Sequence, residues 1–282
     1  MRKTLRTLGI ASLVGLVAAL AVAPSPATAA SHRVTVMTWN IKGDDADMPA
    51  VAAFIRSHDP DILMIQEIQQ SPDGVDGKPP IGNQVRELES ALGSAYTGKL
   101  HFGRADHPGE ACQTSSNNWV GNAIYTKFSK LSHVTYTLPR LKTCAEGATS
   151  VNRSLAGANF ALPSGDNVVV WSTHLTVGMD GLAPTQRLQQ AQFIESKLGH
   201  SDPLILGGDF NDLPGSATHN TFTSNGWTDA GASAGPTAGG SRIDWVMTKR
   251  ATIHSASSPR PLWNGVLLSD HRPVIVDMTI NG

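Results

Sequence analysis

Apolar runs of strand length alternate with a few helical stretches, and polar side chains capable of chemistry stand where the runs stop. Residues 34–39, VTVMTW, read as a first buried strand and residues 61–66, DILMIQ, as a second. Between them, residues 48–58 keep helical spacing through Val51, Phe54 and Ile55. Asp59-Pro60 ends that helix, because a residue before proline is pushed out of the helical region. The spacing predicts a helix over 84–92, stopped by Gly93. It predicts another over 184–198, with Pro184 in its first turn, Leu188, Ala191, Ile194 and Leu198 on one side, and Gly199 beyond. Further strands are expected at 119–125, 158–162, 168–172, 204–206 and 274–280. Residues 71–80 read as a surface loop. Residues 230–240, nearly all Ala, Gly, Ser, Thr and Pro, are too poor in apolar bulk for a core and are expected to form a mobile loop. No repeat is visible. Short strands with few helices between them predict two packed sheets with outer helices rather than a regular βαβ series.

The first thirty residues stand apart. A basic start (Arg2, Lys3, Arg6) leads into an apolar run over 8–23 that is interrupted by Ser12 and ends at Pro24, with Ala27-Thr28-Ala29 as a cleavage pattern. This predicts a secretory signal peptide over 1–30, a single domain over 31–282, and a secreted, extracellular protein. No later segment approaches the roughly 18 apolar residues of a membrane helix, so no membrane anchor is expected. The chain has 22 Lys+Arg and 23 Asp+Glu; loss of the three basic leader residues shifts the net charge from −1 to near −4. Such a surface gives no global steering toward nucleic acid, yet leaves room for local neutralisation of phosphate at a site. Export also places Cys112 and Cys144 in an oxidising compartment, where a disulfide between them would contribute about 3 kcal/mol or more.

The polar residues at the strand ends form an ordered set: TWNIKG (Asn40), QE (Glu67), GNAIY (Asn122), NRS (Arg153), STHL (His174), GGDFND (Asp209, Asn211), RIDW (Asp244) and SDHRP (Asp270, His271). Singly, each also fits a turn or a solvated strand end. Together they supply what hydrolysis of a phosphodiester requires: activation of water, stabilisation of the phosphoryl oxygens and neutralisation of the leaving alkoxide. Glu67 and Asp270 are hard oxygen donors suited to Mg²⁺ or Ca²⁺, and Asn40 adds a carbonyl ligand or supports one. No Cys/His cluster with zinc spacing accompanies them.

This order of motifs resembles the endonuclease/exonuclease/phosphatase superfamily, the DNase I-like family of pancreatic-type DNases, abasic-site endonucleases, bacterial sphingomyelinases and inositol-phosphate phosphatases, over roughly residues 33–280. The resemblance implies an α+β sandwich of two packed, mainly antiparallel sheets flanked by helices in four layers. It assigns Asn40, Glu67 and Asp270 to a metal, Mg²⁺ with Ca²⁺ or Mn²⁺ as alternatives. Asp209 would orient or deprotonate the attacking water, and Asn211, Arg153 and Asn122 would contact phosphate. His271 would be oriented by Asp244, and His174 would contact phosphate or assist the leaving group. A surface ion pair for Arg153 and a core role for His174 remain open, and Gly207 and Gly208 are expected to let backbone and substrate approach closely.

Substrate identity is left to the loops at 71–80, 101–118 and 230–241. A secreted, monomeric, DNase-like endonuclease acting on nucleic acid is the first expectation. The alternatives are a sphingomyelinase or phospholipase C-like hydrolase, another phosphatase, or an inactive binding module. A membrane-acting relative would expose an aromatic hairpin, whereas Trp119, Trp227 and Trp263 fall in unlike segments.

Overall fold

The computed structural model describes residues 31–71, 82–106, 119–141, 152–178, 181–199 and 203–282. The leader, Cys112 and Cys144, and most of the loops at 71–80 and 101–118 lie outside these residues, and with them the expected cleavage and disulfide.

Two sheets face each other. The first follows the order β12 (Ala251–Ser257), β15 (Val274–Asn281), β1 (Ser31–Asn40), β2 (Ile62–Ser71), β5 (Trp119–Thr126), β4 (His101–Asp106), with β3 (Gly82–Asn83) paired on β2. The second runs β10 (Thr228–Asp229), β11 (Asp244–Lys249), β9 (Leu204–Asp209), β8 (Asn167–His174), β7 (Ser154–Ala161), β6 (Ser129–Thr137). Among the described residues only β1–β2 and β8–β9 pair in parallel; the other pairings are antiparallel. A separate small hairpin joins β13 (Leu262–Trp263) to β14 (Val266–Leu267).

Alternation along the strands decides which residues fill which layer. Val34 and Val36 of β1 and Ile62 and Met64 of β2 point between the sheets, where they meet Ala156, Phe160, Val170, Ile205 and Val246. Their neighbours Met37, Trp39, Leu63 and Ile65 point outward and pack against α1 (Met48–His58) and α2 (Gln84–Leu92). On the far face α3 (Ala183–Lys197) and α4 (Ala217–Thr223) cover Leu204, Leu206, Trp245 and Met247. The result is the expected sandwich of helices, sheet, sheet and helices.

The helices carry recognisable ends. Asp47 accepts from the Ala50 amide at 3.2 Å to open α1, and Asp59 closes it in a left-handed conformation (φ 46°). Asn83 caps α2 in the same way through the Arg86 amide. The α3 face differs from the apolar one expected: Leu188 is half-buried while Gln186, Arg187 and Gln190 are buried. These polar groups are satisfied there, since Gln186 and Gln190 donate to the Thr176 hydroxyl at 2.8 and 3.0 Å.

The segment 230–240 is not the loose loop expected from its composition. Ala230 donates to the Val246 carbonyl at 2.8 Å, Ala230 and Ala234 pack on the inter-sheet core, and Ala238 bridges to Ser241. Its Thr237 is buried, and the Thr237 hydroxyl accepts from the amides of Ile243 and Asp244 at 3.0 and 3.2 Å. Small side chains allow this close packing, which a count of apolar bulk overlooks.

Candidate active site

The topology gathers the predicted residues at one end of the sandwich. The parallel pairs bring the C-terminal ends of β1 and β2, and of β8 and β9, to the same edge, with His174 directly opposite Asp209. β11 starts there, Asp244 opposite Asp209, and the Ser269–Arg272 turn feeds β15 from that edge. Asn122 sits in β5, on the far side of β2 from β1.

Asp209 is the centre of the arrangement. Its side chain is 2% exposed, and one oxygen, Oδ2, has His174 Nε2 at 3.4 Å and His271 Nε2 at 3.8 Å. The same oxygen accepts from the Asn40 amide at 3.1 Å, and Oδ1 accepts from the Asn211 amide nitrogen of the backbone at 2.9 Å. Burial, then the charge of Asp244, push the Asp209 carboxyl up to about 7, against the pull of His271, Asn40 and Asn211.

The two histidines differ in charge. His271 Nδ1 lies 2.9 Å from Asp244 Oδ2 and 3.2 Å from Oδ1, and Asp244 is fully buried. Burial opposes protonation of His271, but the hydrogen bond and charge of Asp244, aided by Asp209 and Asp270, outweigh it and raise the imidazole to about 9. His174 is held well below its ordinary value by burial, then by the charges of Arg153 and His271. Arg153 Nη1 stands 2.9 Å from His174 Nδ1, so this nitrogen accepts and Nε2–H faces Asp209.

Glu67 owes its position to a bulge. β2 slips register against β5 between Ile65 and Ile68, and Glu67 takes a left-handed conformation (φ 58°). Ile62, Ile65 and Ile68 then face the inter-sheet core, the helices and the helices again, so one extra residue has changed the side on which the strand continues. Gly43 permits this, since a Cβ there would lie 1.9 Å from the Glu67 carbonyl oxygen. The Glu67 side chain is 36% exposed, and Oε1 accepts from Asn40 at 2.9 Å.

These donors fit a hard divalent cation. Glu67 and Asp270 both act on the Lys42 ammonium, which is raised by its bond to Asp45 and by the charges of Asp270, Asp45 and Glu67. Asp270 is exposed and makes no ion pair or hydrogen bond of its own among the described residues. Ligand atoms of Asp209, Asp244 and His271 also lie within 4.8 Å of one another, but the Asp244 oxygens are occupied by His271. Asn40 spends its amide on Glu67 and Asp209, and its carbonyl accepts from the Lys42 backbone at 3.1 Å, so it holds the carboxylates in place.

Two further expectations meet the geometry differently. Asn122 is buried, donates to the Ser154 carbonyl and hydroxyl at 3.0 Å, and leaves its own carbonyl oxygen without a partner in the recess shared with Glu67, Arg153 and His174. It faces that recess as an acceptor, not as a donor to phosphate. Asn211 (φ 51°) spends one amide hydrogen on the Leu175 carbonyl, leaving the other for a ligand. Gly207 and Gly208 serve packing: a Cβ would lie 2.4 Å from Met64 Cε at the first and 2.0 Å from the Thr173 carbonyl oxygen at the second.

Sequence reasoning missed the residues that hold the site together. Ser269 donates to the Asn40 carbonyl at 2.8 Å and accepts from the His271 amide at 3.1 Å, and the Trp39 indole donates to the His271 carbonyl at 3.0 Å. Buried Arg187 pairs with Asp212 at 3.3 Å, tying the turn after β9 to α3. Trp39, Ser269 and Asp212 each stand inside or beside a motif already singled out, which is the only signal the sequence offered.

Fold and site together define a hydrolase of phosphate esters. A sequence profile of the endonuclease/exonuclease/phosphatase family matches residues 37–271. The chain belongs to this family, whose members generally depend on divalent metal. No curated protein sequence gives a significant match. Among solved structures, an endonuclease/exonuclease/phosphatase from Beutenbergia cavernae is similar with a TM-score of 0.74 at 22% identity, covering 89% of this chain and 72% of its own. The mannosyl-6-phosphatase of Bacteroides thetaiotaomicron is similar with a TM-score of 0.64 at 19% identity, over 87% of this chain and 99% of that one. The catalytic domain of human Nocturnin, with bound sulfate, gives a TM-score of 0.63 at 21% identity, over 87% and 93%. At these identities the likeness establishes the fold.

Proposed function

We propose that this chain is an exported, monomeric, divalent-metal-dependent phosphodiesterase that cleaves nucleic acid as a DNase-like endonuclease. The supporting observation is the buried Asp209 carboxylate approached by both His174 and His271, with Asp244 holding the second imidazole. Asp209 orients the attacking water and takes its proton. His271, charged through Asp244, meets the phosphoryl oxygens, and Asn211 and Arg153 add donors beside it. His174 stands on the opposite side of Asp209, where the leaving oxygen departs. When bound by Glu67 and Asp270, Mg²⁺, or Ca²⁺ or Mn²⁺ in its place, supplies positive charge against the phosphate. The presence of two histidines and of Arg153 beside them weighs toward the DNase-like branch.

The test is nicking of supercoiled plasmid by purified protein with Mg²⁺ and Ca²⁺, and again with EDTA. Cleavage that EDTA stops supports this reading; intact DNA and RNA together with release of phosphocholine from sphingomyelin would refute it.

That second outcome has one observation in its favour. The β13–β14 hairpin, immediately before the Asp270-His271 turn, exposes Leu262, Val266 and Leu267 at 41, 62 and 49%. An apolar hairpin at the mouth suits a lipid surface. Trp263 within it packs partly on the core, Trp227 is buried, and Trp119 lies under Arg104, so the hairpin presents aliphatic rather than aromatic side chains.

A further inference from the structure

A cleft of about 280 Å³ opens beside Asp270, between the turn at Gly239-Gly240 and the segment leading into the β13–β14 hairpin. Its wall carries Arg260 and Arg272, both exposed, and neither has a carboxylate partner or a side-chain hydrogen bond among the described residues. Elsewhere, exposed arginines of this chain do find partners: Arg33 pairs with Asp277 and Arg86 with Glu89. Two unpaired guanidiniums against the single carboxylate of Asp270 leave the cleft positive in a chain whose net charge is negative. Guanidinium groups match phosphate oxygens in a forked, charge-assisted geometry.

The placement ties the cleft to the reacting centre. Arg272 directly follows His271, and its backbone amide is fixed by a 2.7 Å bond to the Thr237 carbonyl. On the other side of the Asp209 centre, Arg153 lines the recess with Glu67, Asn122 and His174. Cationic groups therefore flank the Asp209, His174 and His271 centre on both sides, so a chain of phosphates could be held on both sides of the one being cleaved. A cavity Cβ at Gly239 or Gly240 would meet nothing within 4 Å, leaving the rim open to a polymer.

We propose that Arg260 and Arg272 form a subsite for the phosphate next to the scissile one on a nucleic-acid strand. This rests on the nuclease reading. It makes the protein an enzyme that prefers a substrate with at least two phosphates in series.

The experiment compares three substrates: a dinucleotide with one internal phosphodiester, and the same dinucleotide carrying an added terminal phosphate at either end. Wild-type protein should hydrolyse one of the extended forms with about tenfold higher kcat/KM than the unextended form, the gain expected of one charge-assisted contact. In Arg260→Ala and Arg272→Ala that ratio should fall toward one, with thermal stability unchanged because neither side chain has a partner to lose. If neither terminal phosphate raises kcat/KM, or if the gain survives both substitutions, the subsite is refuted while phosphodiesterase activity stands. Plasmid that stays intact overturns the nuclease reading and the subsite with it, whereas nicked plasmid with none of the three dinucleotides hydrolysed refutes the subsite alone.

Discussion

Asp244 holds His271 across 27 residues of sequence, with Oδ2 at 2.9 Å from Nδ1, and the carboxylate that does so has no access to solvent. The bond fixes which imidazole nitrogen faces Asp209 and favours the charged ring. Asp244→Asn keeps the volume and removes the charge, so turnover should fall by about a hundredfold or more while the protein stays folded. Steady-state kcat on a phosphodiester, with a melting curve as control, decides the matter. Near-normal turnover would leave the pair a structural role only.

Glu67 should set the metal requirement. Glu67→Gln is expected to shift the Mg²⁺ titration of activity to higher concentration, and an unchanged titration would remove this residue from the metal. Gly43→Ala should move the titration in the same direction without touching any carboxylate, because its Cβ would collide with the Glu67 carbonyl. If Gly43→Ala lowers stability but leaves the titration in place, the bulge is not what aims the acid.

Thr237 links the two halves of the dyad, accepting from the Asp244 amide through its hydroxyl and from the Arg272 amide through its carbonyl. Thr237→Val strands the buried Asp244 amide and the half-buried Ile243 amide and should cost about 1–3 kcal/mol of stability. Turnover should drop with it and recover in Thr237→Ser. Recovery of stability without recovery of turnover would show that the hydroxyl does not position the site.

His101 gives a pH-dependent term away from the site. Burial lowers it to about 4, reinforced by the charges of His133 and Lys130 and opposed by its bond to the Val134 carbonyl. The unfolded chain therefore takes up this proton first. The contribution of His101 to stability is full above pH 6.5 and is lost as pH falls toward 4. Melting temperature should decline more steeply over that window in the wild type than in His101→Gln, by at most about 1.4 kcal/mol per pH unit. Parallel curves would refute the assignment.

The helices at 48–58 and 84–92 were legible to the residue because their caps and stop signals are local. The inter-sheet strands were legible where they are apolar throughout. β6 and β12 were not, since their burial patterns, mostly exposed with single half-buried positions, give no apolar run. β11 was hidden behind the motif it carries, and β4 behind a loop assignment. The residues that meet at this edge could be named one by one. Which atoms were already spent could not, because that depends on long-range partners such as Ser154 for Asn122 and Leu175 for Asn211. Pairing of Asp244 with His271 was expected from family resemblance alone, and the distance now supports it.

The bulge makes Glu67 a residue that the sheet itself does not need. Deleting it would remove an acid and restore regular pairing, with Gln66 opposite Asn122 and Ile68 still opposite Gly121 on the helix side. Substitution at this position tests chemistry, while deletion tests whether the core has any use for the extra residue. The core keeps its register either way, so the acid is an insertion carried at the edge of the sheet and not a part of its packing.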